Sequence, residues 1–214
     1  MKIVAIDGPA GSGKGTISKI LADKCNLLYI DTGAMYRAIA YQCIKNNIDI
    51  SEEERIIELA RESRIDFIDG KTYLNGEDVS IDIRTMEVTK IVSPLSSIVK
   101  LREILVNMQR EMAQDSDVIM EGRDITTVVF PNATYKFYLD ADVETRAKRR
   151  YKENMEKGID TTYEEVLDNI KKRDYNDMHK EVGSLIRVDD AIYIDSTNLT
   201  IEEVVDKMKK IIEV

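Results

Sequence analysis

Four glycines within eight residues constrain how this chain can begin. Gly8, Gly11, Gly13 and Gly15 stand between a short apolar run, Ile3 to Ile6, and a segment where Ile17, Ile20 and Leu21 recur at helical spacing. Strand, glycine-rich turn and helix in that order make a cradle for phosphate. Without Cβ atoms the backbone curls tightly and turns its N–H groups inward. The helix opening near Lys14 adds its first-turn N–H groups and the positive end of its dipole. Lys14 brings a mobile charge for the outer phosphates, and Thr16 a hydroxyl near a metal.

The pattern G-x-x-x-x-G-K-[ST] holds from Gly8 to Lys14, but Gly15 stands where Ser or Thr belongs and Thr16 follows one place late. A dinucleotide site is the rival, because Asp31 lies about 20 residues downstream, where such a site places an acid for the ribose. The glycines run G-x-G-x-G rather than G-x-G-x-x-G, and a lysine in the turn suits a terminal phosphate. A nucleoside triphosphate is therefore the expected ligand.

With 214 residues, 43% of them hydrophobic, the chain can bury a proper core as one domain. A net charge of −9 argues against broad nucleic-acid binding. Cys25 and Cys43 fall in expected helices without metal-ligand spacing and read as buried free thiols. Asp7 interrupts the first apolar run, so no signal peptide is expected, and no stretch nears the ~20 apolar residues of a membrane span. A cytoplasmic protein is expected. The one histidine, His179, makes a histidine-based triad or a multi-histidine zinc site untenable. Chemistry must run on Lys, Arg, Asp and bound ions.

Along the chain, Leu28 to Asp31 reads as a second strand and Ala34 to Asn46 as a helix. Ser51-Glu-Glu-Glu54 is expected to cap the next helix, which runs to about Ser63. Ile65 to Ile68, Lys71 to Leu74 and Glu77 to Val79 alternate with period two. Asp69-Gly70 and Asn75-Gly76 between them are strong hairpin signals. This three-stranded antiparallel meander is expected as an insertion. Arg84 to Val92 reads as a short helix stopped before Pro94, and Ser97 to Asp115 as a long one with Ile98, Leu101, Leu105, Met108 and Met112 on one face.

Strands at Asp117 to Met120, Tyr135 to Asp140 and Ala191 to Asp195 complete the set. Helices are expected at about Asp142 to Lys157, Thr162 to Glu181 and after Thr200, which Glu203 follows three residues on as a capping box. Five strands separated by helices imply a parallel sheet covered on both faces, with ligands at the C-terminal strand ends.

Phosphoryl transfer needs charge neutralisation and alignment, and arginine suits the first with its permanent charge and bidentate fork. Arg37 follows the second strand end and Arg123 lies just after the third. Arg146, Arg149 and Arg150 share a helix face, and Arg173 opens a charged cluster reaching Lys180. The charged stretch from Lys152 to Thr162 suits a hinged lid.

Gly8-x-x-Gly-x-Gly-Lys-Gly-Thr16, Asp31-Thr-Gly-Ala-Met-Tyr-Arg37, Gly122-Arg-Asp124 and Arg173-Asp-x-x-Asp177 together resemble the bacterial cytidylate kinases, in order and over essentially the whole chain. The Lys-Gly-Thr ending is similar to nucleoside monophosphate kinases generally. The resemblance implies an α/β fold of the P-loop type. It would have three layers and a five-stranded parallel sheet, with the small antiparallel three-stranded meander in a monophosphate-binding insertion (about residues 64–92) and a helical lid (about residues 149–163), all within a single domain.

By the same resemblance Gly8, Pro9, Ala10, Gly11, Ser12, Gly13, Lys14, Gly15 and Thr16 hold ATP, with Mg2+ carried by phosphates and water and Thr16 nearby. CMP or dCMP is the implied acceptor, facing Thr32, Tyr36, Arg37, Gly122, Arg123, Arg173 and Lys180. Ser93, Arg102 and Asp177 read the cytosine, and Asp124 lies near the sugar. Lys14, Arg123, Arg149, Arg150 and Arg173 are the implied catalytic set, and a monomer is expected. A carboxylate can accept from the exocyclic amine of cytosine while an arginine donates to its O2 or N3 side, which uracil would satisfy less well.

Three positions depart from the family's pattern. Glu121 stands where Asp is usual, Thr126 where glycine is frequent, and Lys180 where a second arginine normally closes the cluster. Two alternatives stay open: a monophosphate kinase preferring UMP or AMP, and a nucleotide-dependent switch without an acceptor.

Overall fold

The structure, a computed structural model, describes residues 1–213. In chain order the elements are β1 (Ile3–Asp7), α1 (Lys14–Cys25), β2 (Leu28–Asp31), α2 (Thr32–Lys45), α3 (Glu53–Glu62), β3 (Ile65–Ile68), β4 (Lys71–Leu74) and β5 (Glu77–Asp78). A short 3-10 turn (Asp82–Arg84) leads to α4 (Met86–Leu95), α5 (Val99–Met112) and β6 (Val118–Gly122). A wide helical turn (Ile125–Val129) then precedes β7 (Tyr135–Asp140), α6 (Val143–Glu156), α7 (Tyr163–Met178), β8 (Ile192–Asp195) and α8 (Ile201–Ile212).

The five-stranded sheet has the order β2-β6-β1-β7-β8, as a parallel α/β sheet. Two compact units partition the chain, one of Lys2–Leu28 with the residues from Asp117 onward, the other of Tyr29–Ser116.

In the first unit β1 is central. Val4 pairs with Ile119 on one side and Tyr135 on the other, and Phe137 with Ile192. Val4, Ala5, Ile6, Ile119, Phe137 and Leu139 are all fully buried, as expected of parallel strands covered on both faces. Helix α1 packs on α8 and β6, and α6 packs on α7 through Ala147, Val166 and Ile170. Both α7 and α8 open with complete capping boxes, Thr162 with Glu165 and Thr200 with Glu203.

In the second unit, Ala34, Ile39, Ile56, Ile83, Leu101 and Leu105 form one continuous core. The meander β3-β4-β5 has the expected register, Ile65 opposite Leu74 and Leu74 opposite Glu77. Both turn dipeptides take positive φ, 50° and 69° at Asp69-Gly70, 52° and 86° at Asn75-Gly76, which matches the twist of a tight hairpin. β5 is shorter than expected because Asp78 Oδ1 accepts from the Ser80 N–H and hydroxyl, turning the chain.

Two local expectations fail. Ser51 does not cap α3: its hydroxyl bonds Asp49 Oδ1 at 2.7 Å, and Glu52 Oε1 accepts from the Asp49 N–H, so the chain makes a polar turn and the helix opens later. Pro94 does not stop α4, which runs through it to Leu95 under the Thr85 cap. So near the helix end the missing N–H costs one bond, and Ser96 N still reaches Val92 O at 2.9 Å. Helix α2 also starts two residues early, because Asp31 Oδ1 accepts from Ala34 N at 2.8 Å. Among the described residues no helix is long and apolar enough to cross a membrane.

Candidate active site

The glycines of the first turn are required by position. Gly8 sits at φ +154°, and a Cβ there would lie 2.0 Å from Leu139 O. Gly11 at φ +77° faces Arg146, and Gly13 at φ +94° caps α1 without any side chain. The helix N-terminus is thus left to an anionic ligand. The Lys14 side chain is buried and folds back, its Nζ 2.7 Å from Pro9 O and 3.3 Å from Ser12 Oγ. Burial, and then the nearby Arg123, pull its ammonium down to about 7, against Glu121 and Asp7. An anion entering this loop would relieve that desolvation, so the residues fit a polyphosphate. Thr16 is exposed in the first turn of α1.

The three arginines of α6 have three different fates. Arg146 is buried. It donates to Ala141 O at 2.9 Å and to Ala10 O of the glycine loop at 3.0 Å, and pairs with Asp174 Oδ2 at 2.6 Å. Arg149 grips Ser196, at 3.1 Å to its Oγ and 2.6 Å to its carbonyl, and the Ser196 hydroxyl lies 3.4 Å from Ser12 O. Arg150 is exposed and pairs with Glu153 at 2.9 Å.

After β6 the chain carries Arg123 to the last turn of α7. Its Nε bonds Asp177 Oδ2 at 2.8 Å, Lys180 Nζ lies 3.2 Å from Asp177 Oδ1, and Arg173 Nε is 3.9 Å from Oδ2. Burial pushes the Asp177 carboxyl up, but Arg123, Lys180 and Arg173 together hold it below the usual carboxylate range. The fields of Arg123 and Arg173 also reach Lys14, so the loop lysine and these two arginines share one electrostatic neighbourhood. Gly122 and Asp124 flank Arg123, both buried.

Asp7, fully buried at the end of β1, accepts from Ile125 N at 2.9 Å, Thr126 N at 2.7 Å and the Thr126 hydroxyl at 2.6 Å.

The other unit holds a second set. Arg37 NH2 bonds Asp31 Oδ2 at 2.8 Å, and Arg84 from the 3-10 turn reaches the same oxygen at 3.3 Å. Gly33 allows this, since a Cβ there would stand 3.1 Å from the Arg37 guanidinium. The Asp31 carboxyl is raised by burial but held low on balance by Arg37 and Arg84. Arg102 is buried over the Tyr36 ring, 5.7 Å from its centroid, and donates to Ser96 O at 3.0 Å. Thr32 is buried in the first turn of α2, and the Ser93 carbonyl accepts from the Ser96 hydroxyl at 2.8 Å.

Sequence reasoning missed Arg84 and Ser196, and took Asp7 only as a strand end, Asp174 only as part of the Arg173 cluster and Arg146 only as part of a charged face. The one available signal was Asp31, an N-cap residue placed directly before a helix. Among the described residues no three of His, Cys, Asp and Glu gather as a metal site.

Comparison with solved structures shows the fold. A protein from Eubacterium ventriosum aligns over 99% of this chain and 98% of its own, with TM-score 0.55 at 16% identity. A shikimate kinase from Bacteroides thetaiotaomicron aligns over 100% and 99%, with TM-score 0.51 at 14% identity. Sequence relatives are much nearer. A cytidylate kinase of Clostridioides difficile is 48% identical over 206 residues, 96% of this chain and 95% of the relative. One of Lactobacillus johnsonii is 51% identical over 214 residues, 98% and 93%. A family model described as Cytidylate kinase matches residues 4–214. With that match over nearly the whole chain and relatives near 50% identity, this chain belongs to the cytidylate kinase family.

Proposed function

We propose that this protein transfers the γ-phosphoryl group of ATP to CMP or dCMP, giving ADP and CDP or dCDP, as a monomer in the cytoplasm. The observation that carries the reading is Lys14: a buried ammonium parked on Pro9 O inside a glycine loop, in the electrostatic reach of Arg123 and Arg173. Relatives near 50% identity that bear the name cytidylate kinase support the acceptor.

On ATP binding, Lys14 leaves Pro9 O for the outer phosphate oxygens, and the loop N–H groups from Gly8 to Thr16 line the rest of the triphosphate. Mg2+ would neutralise charge between the phosphates, with the Thr16 hydroxyl its one protein neighbour. The acceptor phosphate is mostly ionised at neutral pH, its second pKa being about 6, so attack on the γ-phosphorus needs no general base. The O–P bond to the acceptor forms as the bond to the ADP oxygen breaks, in line.

Arg37, Arg123 and Arg173 hold the acceptor phosphate, with Lys180, Gly122 and Thr32 beside it. Arg149 and Arg150, on a lid of about residues 149–163, neutralise charge on the moving group. Asp177 and Arg102 read the amine and the O2/N3 side of cytosine, with Ser93 and Tyr36 in support and Asp124 toward the sugar.

A coupled assay of ADP release with CMP, dCMP, UMP, AMP and GMP tests this. CMP and dCMP are expected to outrun the others by about 100-fold, within the discrimination a hydrogen-bonding pocket provides. A preference for UMP or AMP would overturn the acceptor, and acceptor-independent hydrolysis would overturn the kinase.

A further inference from the structure

Asp7 ends β1 one residue before the glycine loop and is fully buried. Its three hydrogen bonds all go to the first two residues of the wide turn, Ile125 and Thr126. The two backbone donors would be present with any side chain except proline. The third, Thr126 Oγ1 to Asp7 Oδ2 at 2.6 Å, depends on the Thr126 hydroxyl, itself buried at 2% exposure.

The wide turn is a backbone form that needs support. Val129 N reaches back to Asp124 O at 3.2 Å and Phe130 N to Ile125 O at 2.7 Å, both spanning five residues. Such turns are rare and recur at functional sites. Arg123 and Asp124 immediately precede it. Arg123 is thus held at both ends, at its guanidinium by Asp177 and at its backbone by a turn bolted to Asp7.

We infer that Thr126 is a positioning residue for phosphoryl transfer: its hydroxyl, bonded to Asp7 Oδ2, fixes the turn that aims Arg123 and Asp124 and ties it to the strand entering the glycine loop. The inference rests on the proposed role of Arg123 on the acceptor phosphate. Threonine to valine removes the hydroxyl and keeps the shape, so the buried Asp7 oxygen loses a donor while packing is retained.

The experiment is steady-state kinetics of Thr126→Val, Thr126→Ser and Thr126→Ala in the full chain, run well below each variant's melting temperature. A misplacement of about 1 Å costs about 100-fold in rate, so a fraction of that shift predicts a fall in kcat of about tenfold for Val and Ala. KM for ATP should stay within about twofold, and Ser, which keeps the hydroxyl, should restore most of kcat. A purely structural role would lower the melting temperature and leave kcat untouched. Wild-type kcat in Val or Ala overturns the inference, and so does a Ser variant as slow as Val. If Val does not fold, Ala and Ser decide on the same criteria. A wild-type protein inactive with all five acceptors overturns the proposed function and this inference together. An active wild type with an unimpaired Val variant overturns this inference alone.

Discussion

Arg123 lays its Nε against Asp177 Oδ2 at 2.8 Å, joining the end of a central strand to the last turn of a helix 54 residues later. The Asp177 side chain is only 6% exposed and also faces Lys180 and Arg173. Asp177→Asn keeps the shape but leaves three cations without their shared counter-charge. A stability loss of about 2–3 kcal/mol is expected, just below the range for breaking a fully buried pair, since Arg123 is partly exposed. The kcat/KM for CMP should fall more than about tenfold and that for ATP much less, which kinetics varying each substrate in turn would read. Because Asp177 titrates below its ordinary 3.8 in the native state, its contribution is complete above about pH 4 and is lost only as pH falls through the lowered value. Acid melts of wild type and variant should therefore converge at the bottom of that range.

Lys180 Nζ meets the other Asp177 oxygen at 3.2 Å, with its side chain 12% exposed. An arginine here adds a planar fork with donors to spare beyond Asp177. Lys180→Arg is expected to lower KM for CMP by about two- to fivefold, since a guanidinium fork can hold a phosphate through two parallel N–H···O bonds where an ammonium acts as a point charge. Unchanged constants would show that the position does not contact the ligand.

Lys14 gives a proton-linkage signature. Its ammonium lies at about 7 rather than the ordinary 10.5, chiefly through burial. Between about pH 7 and 10.5 the unfolded chain therefore binds more protons, so this residue's cost to stability is full below the window and disappears as pH rises through it. A triphosphate in the loop restores the charge. At about pH 8.5 ATP binding should take up close to one proton at Lys14, and at about pH 6 none, because the group is then already charged. Titration calorimetry in two buffers of different ionisation enthalpy measures this, and Lys14→Met should abolish the uptake at the higher pH.

The features legible in the sequence are those whose cause is local. Asn75-Gly76 turns as expected because only residues tolerant of positive φ fit there, and Gly8 to Lys14 announces its loop for the same reason. The arginines of α6 show where such reading ends. Arg146, Arg149 and Arg150 share one face and one chemistry, yet their partners are Asp174, Ser196 and Glu153. Two of those partners lie far along the chain, and only tertiary packing selects them. Arg84 meets Asp31 across 53 residues in the same way. Ser51 fails for a subtler reason, since Asp49 competes for its hydroxyl and Glu52 turns back to the Asp49 N–H.

Gly8 and Gly158 separate crowding from strain. Both have positive φ, but a Cβ at Gly8 would strike Leu139 O at 2.0 Å, while one at Gly158 meets nothing within 4 Å. Gly158→Ala should cost about 1–2 kcal/mol from backbone strain alone. Gly8→Ala adds displacement of β7 main chain and should lose more than about 3 kcal/mol or fail to fold. Thermal melts of the two variants side by side provide the comparison.

Arg146 is the residue on which the glycine loop leans. Its guanidinium serves Ala10 O, Ala141 O and Asp174 Oδ2 together, and the Gly11 backbone lies against its Cβ. Asp174 Oδ1 is buried without a hydrogen bond, so that carboxylate depends on the contact through Oδ2. A lysine has one nitrogen and cannot reproduce the fork, so Arg146→Lys must abandon either the loop carbonyls or Asp174. If it keeps Asp174, the loop loosens and KM for ATP should rise about tenfold with little change in melting temperature, a loss of about 1.4 kcal/mol. If it keeps the carbonyls, the stranded carboxylate should cost about 3 kcal/mol or more of stability, and Asp174→Asn in the same chain should recover much of it. ATP titrations and melts of the single and double variants distinguish the two outcomes, and wild-type values in both would remove Arg146 as a support of the loop.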